Sequence, residues 1–76
     1  MRARQAFDSV RRRLEAAGVE DAAFDAGVLV ETQAGEGWRW QDPDLDETAL
    51  ARLEELAARR AAREPLQYIQ IGRAHV

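Results

Sequence analysis

The chain has no cysteine and no lysine, a single histidine and two prolines, and nowhere an apolar run near the roughly 18 residues a membrane-crossing helix needs. Without cysteine there is neither a disulfide framework nor a thiolate metal site, so apolar burial has to carry the fold. The arginines near the start are not followed by an apolar stretch and a small-residue cleavage site. No secretory signal is read, and the expected compartment is the cytoplasm. Catalytic constellations are lacking as well: Ser9 stands alone in a helical pattern and His75 has no partner motif. The eleven basic residues are all arginine, which a GC-rich genome explains at least as well as chemistry does.

What is present is the composition of a small soluble helical domain: 76 residues, 46% apolar and 33% charged. A core of this size supplies about 3–5 kcal/mol of net stability. The net charge of −3 hides a split, with Arg2, Arg4, Arg11, Arg12 and Arg13 at the start and a mostly acidic stretch from Glu20 to Glu55 opposed by Arg39 and Arg52. Such a split can steer a charged partner. Two solvated helix faces account for it more simply.

Ala3, Ala6, Phe7, Val10, Leu14 and Ala17 recur at spacings of three and four, which predicts a helix over about residues 2–17, closed by Gly18. Asp8 precedes Arg11 and Arg12 by one turn, a favourable pairing on the solvent face. A second helix opens at Glu20 and Asp21, where acidic residues complement its dipole. Its expected buried side is Ala22, Ala26, Leu29, Val30 and Gln33, flanked by Phe24 and Val28. Gly27 inside it either admits a close neighbour or weakens the helix by about 1 kcal/mol. Gly35-Glu36-Gly37 ends that helix and leads into Trp38-Arg39-Trp40 and Asp42-Pro43. Two tryptophans one residue apart can stack on a ligand, but the need of a small core for large apolar groups favours at least one of them as a plug.

The third long helix carries the most signals. Asp46 suits the N-cap, Leu45 can staple onto Leu50, and Leu50, Leu53, Leu56, Ala57 and Ala61 form its inward stripe. Glu55 and Arg59 sit at a favourable i,i+4 spacing. Glu64-Pro65 should stop this helix, because proline lacks the N–H and restricts the residue before it. The segment Leu66-Gln67-Tyr68-Ile69-Gln70 then reads as extended, with one buried face.

The stretch Ala57 to Gln70, with Arg59-Arg60 followed by Glu64-Pro65-Leu66-Gln67-Tyr68-Ile69, resembles the junction between the N-terminal helical domain and the catalytic domain in the HemK/PrmC family. Those enzymes methylate the glutamine of peptide chain release factors. The resemblance extends back through Leu50-Ala51-Arg52-Leu53-Glu54 and Asp25-Ala26 to Ala17-Gly18, about residues 14–70. The chain departs from the family pattern at Ala22-Ala23, where Pro-Arg is usual, and at Arg63, where glycine is usual. If position 63 requires a positive φ, arginine there is strained by about 1–2 kcal/mol.

The resemblance implies an all-α bundle of three main helices with short turns and an extended C-terminal tail. In that division residues 1–64 are a substrate-docking domain, residues 65–70 begin the link to a catalytic domain, and residues 71–76 are foreign. Ile71-Gly72-Arg73-Ala74-His75-Val76 translates the adaptor run ATCGGAAGAGCACACGTC, so adaptor read-through is the expected origin of the tail. The implied partners are a release factor and the enzyme's own catalytic domain, with no membrane and no direct nucleic acid. S-adenosylmethionine is implied as cofactor of that catalytic domain. No residue of this chain is assigned to catalysis, cofactor or metal, because the glycine-rich cofactor loop and the Asn-Pro-Pro-Tyr motif are absent from the sequence. Partner docking is expected from Arg59, Arg60, Arg63, Trp38 and Trp40, and the interdomain joint from Glu64, Pro65, Leu66, Tyr68 and Ile69. Two other functions stay open at this point: a free-standing helical interaction module, and a small arginine-rich nucleic-acid binder.

Overall fold

The three long helices form where apolar residues recur at helical spacing. A computed structural model describes residues 1–71, with side chains for residues 1–69. It places α1 at Ala3–Ala16, α2 at Ala22–Ala34, a single turn α3 at Trp38–Gln41, α4 at Glu47–Ala61 and α5 at Leu66–Ile71.

α1 buries Ala3, Ala6, Val10 and Leu14. It ends as the glycine requires: Gly18 has φ 83°, its N–H reaches the Glu15 carbonyl at 3.0 Å, and the Val19 N–H reaches that of Leu14 at 2.9 Å. α2 buries Ala22, Asp25, Ala26, Gly27, Leu29 and Val30, while Gln33 is only half-buried and Phe24 is exposed. α4 starts on Asp46, whose carboxylate accepts the Ala49 N–H at 2.8 Å. It buries Leu53, Leu56 and Ala57, with Leu50 and Ala61 at the core's margin.

A short turn makes α2 antiparallel to α1, whereas α4 runs parallel to α1. Arg2 pairs with Asp44 as an isolated antiparallel bridge, and the Leu45 N–H meets the Met1 carbonyl at 2.8 Å. At the other end the Arg63 guanidinium donates to the Ala17 carbonyl at 3.1 Å. Both N-termini therefore lie at one end of the bundle and both C-termini at the other.

The first of these ends is closed by residues 35–43, for which the sequence offered no definite structure. Trp38 is 4% exposed, and its ring lies 5.3 Å from that of Phe7. The Arg39 guanidinium lies over both rings, at 4.4 Å from Trp38 and 5.1 Å from Phe7. A Cβ on Gly27 would come within 2.7 Å of this guanidinium, so the glycine makes room for Arg39. Asp42 takes φ 46° at the end of α3 and caps α1 from across the chain: its carboxylate accepts the Arg4 N–H at 2.9 Å. An arginine side chain has no acceptor, so Arg2 cannot cap α1 itself.

Two expectations need correction. Leu66–Gln70 is not extended; it belongs to α5. Proline loses nothing at a helix start, and the Pro65 carbonyl accepts the Tyr68 and Ile69 N–H groups at 3.0 and 3.4 Å. The spacing of three between Leu66 and Ile69 outweighs the brief alternation: Ile69 is buried and Leu66 packs at the core's margin. Arg59, for its part, does not choose Glu55. It pairs with Glu64 at 2.7 Å, and Glu55 stands 4.0 Å from Arg52. The reading of residues 71–76 as a foreign tail lies, from Gly72 onward, outside the described residues.

Candidate functional site

The C-terminal end of α4 concentrates the residues that the sequence marks out. α4 closes with two bonds, Arg63 N–H to the Arg60 carbonyl at 2.9 Å and Glu64 N–H to the Arg59 carbonyl at 3.1 Å. That closure needs a left-handed residue, and Arg63 supplies it with φ 76°. The conditional expectation of strain at Arg63 is thereby met, at a cost of about 1–2 kcal/mol.

The three arginines then fold back on the junction. Arg59 Nε donates to the Glu64 carboxylate at 2.8 Å, and this bond is the main reason its pKa rises above the already high arginine value. Arg60 Nε donates to Asp25 Oδ2 at 2.8 Å, while its Nη1 reaches the Glu64 carbonyl at 3.0 Å. Arg63 spans to the Ala17 carbonyl at the end of α1. Glu64 is thus tied to α4 directly and to α2 through Arg60, while its neighbour Arg63 reaches the end of α1.

Asp25 is the only buried charged residue among the described residues, at 5% exposure. Sequence reasoning used it only as part of a family match and missed its partner. A signal was there, since residue 25 falls on the apolar stripe of Ala22, Ala26 and Leu29, where an acid demands a cation.

The expected docking residues separate into two groups. Arg59, Arg60 and Arg63 stand together with the joint residues Glu64, Pro65 and Leu66, and each is engaged within the chain. Trp38 and Trp40 belong to the opposite end, Trp38 as the buried plug and Trp40 standing 81% exposed. In the joint, Ile69 is buried and Tyr68 projects outward at 63% exposure. An open apolar groove of about 420 Å³ runs between α1 and α4, lined by Ala6, Val10, Leu50, Leu53 and Ala57, with Arg13 and Glu54 along it. Among the described residues no cluster of three or more histidines or carboxylates could hold a metal ion, and no helix is long and apolar enough to cross a membrane.

The arrangement defines a class: a small all-α module in which a polar network of three arginines braces the turn between α4 and α5. Residues 5–70 match the model of the PrmC N-terminal domain, and the chain belongs to that family. No curated protein and no solved structure matches it.

Proposed function

We propose that the chain is the release-factor-docking, N-terminal part of an S-adenosylmethionine-dependent protein-(glutamine-N5) methyltransferase. Its substrate would be the glutamine in the Gly-Gly-Gln motif of peptide chain release factors, and its compartment the cytoplasm. The carrying observation is the family match over residues 5–70, which takes in the whole Glu64–Ile69 junction. The bundle would hold the release factor while the catalytic part of the parent enzyme transfers the methyl group. Orientation of this kind can supply a large share of a rate enhancement, so a module without reacting groups still bears on turnover. Gly35-Glu36-Gly37 joins two helices, with no strand leading into it. These glycines do not fit the cofactor loop of a doubly wound domain, and S-adenosylmethionine would be held elsewhere in the parent enzyme.

Three measurements test this reading. Genomic sequence beyond Gln70 should continue in frame into a glycine-rich loop and Asn-Pro-Pro-Tyr; a natural stop after Val76 would favour a free-standing helical module. In the parent enzyme, removal of residues 1–64 should raise KM for the release factor sharply. Trp40→Ala, which touches no core contact, should weaken release-factor binding while leaving the helical signal unchanged. Unaltered affinity for the release factor in both variants would remove the docking role.

A further inference from the structure

Three observations at the junction point beyond stability. The first is the burial of Asp25 against Arg60, which is itself only partly exposed. A buried ion pair is a weak source of net stability, since well-packed apolar residues of similar volume often equal or exceed it. The second is Arg63 at φ 76°. A non-glycine residue in the left-handed region persists only where its surroundings over-determine it. The third is the division of the Arg60 fork, with Nε on the Asp25 carboxylate of α2 and Nη1 on the backbone carbonyl of Glu64. One rigid planar group thus measures the distance and angle between α2 and the first residue of the exit.

We propose that Asp25 is a positioning residue: through Arg60 it sets the heading of α5 relative to the bundle. The charge pair fixes a direction where an apolar contact would allow sliding, because a guanidinium bonds in its own plane at set angles. Arg59 holds the Glu64 carboxylate and Arg63 holds the Ala17 carbonyl, so swinging Glu64 away from α4 would break its bonds to both Arg59 and Arg60. α5 then presents Ile69 to α2 and α4 and leaves Tyr68 outward. Within the methyltransferase reading, on which this last step alone rests, the heading of α5 decides where the docked glutamine is delivered.

The test uses the 76-residue chain and residual dipolar couplings of its backbone amides, which report helix directions. In Asp25→Leu/Arg60→Met, apolar groups replace the pair, so the bundle should keep its thermal midpoint or gain. The amides of α1, α2 and α4 should still fit one alignment, while those of α5 lose their couplings. Arg60→Lys keeps the charge without the planar fork, and should reduce the α5 couplings in part. Native α5 couplings in the folded double variant would overturn the proposal. So would loss of the bundle fold in that variant, because the pair would then be holding the bundle and not its exit. Methylation is not read out, so failure here is distinguishable from failure of the functional reading.

Discussion

The two ends of the bundle are built from opposite charges. Where α1 and α4 begin, Asp42 and Asp46 accept their first-turn N–H groups, and Asp44 meets the N-terminal ammonium at 3.2 Å. Where α1 and α4 end, Arg63 caps the Ala17 carbonyl and Arg60 that of Glu64. Each sign lies where a helix dipole favours it, anions at N-termini and cations at C-termini. The ends differ in more than sign. The aspartate end has an apolar plug, Trp38 against Phe7, beneath its caps, whereas the arginine end relies on polar links between distant parts of the chain. The first is built to hold, and the second to aim.

The largest expected effect tests the plug. Trp38→Ala should cost about 3–5 kcal/mol, as is typical of a buried large aromatic. That equals the whole net stability expected of so small a core, so circular dichroism should show a largely unfolded chain at room temperature. A folded variant with a small loss would erase the distinction between the ends. The caps come next. Asp46→Ala should lower stability by about 1 kcal/mol in urea titration. Asp42→Ala should lose about 2 kcal/mol, since alanine at φ 46° adds left-handed strain to the lost cap.

At the arginine end a smaller and opposite effect is expected. Arg63→Gly relieves strain but gives up the bond to Ala17, for a net gain of about 0.5–1 kcal/mol in the urea midpoint. A loss instead would show that the bond outweighs the strain. The smallest effect concerns the exposed face of α1. Arg11 bonds the Asp8 carboxylate at 2.6 Å and Arg12 adds its charge, holding the Asp8 pKa below the ordinary carboxylate value. A carboxyl depressed in the folded state contributes stability above its unfolded pKa and loses it as pH falls through the folded one. Urea midpoints of Asp8→Asn and the native chain should therefore converge in acid and differ slightly near neutrality.

Local signals were legible and long-range ones were not. Gly18, the Asp46 cap and the inward stripe of α4 each depend on residues within a turn or two, so the three long helices followed from spacing and caps. Arg63 was legible in part, because its neighbours Glu64-Pro65 marked the helix end and the family pattern showed glycine there. Asp42 and Asp25 were invisible as partners, since their donors lie 38 and 35 residues away. The error at Leu66–Gln70 has a different cause. Five residues cannot separate a period of 2 from one of 3.6, and only the buried surface of α2 and α4 decides which applies. For the candidate site, the sequence marked the residues of the junction but not the bonds among them.

The parallel course of α1 and α4 also bears on how the chain folds. The α1–α2 hairpin needs only a short turn, but the contacts that seat α4 join residues 43 apart at one end and 46 apart at the other. Loop-closure entropy delays such contacts, so α4 should dock late and shut both ends in a single event. Interactions absent from the transition state slow unfolding and leave the folding rate nearly unchanged. In a chevron plot, Asp42→Ala should therefore raise the unfolding limb and leave the folding limb in place. The bundle's ends would then act as latches, governing how long the domain stays shut once formed.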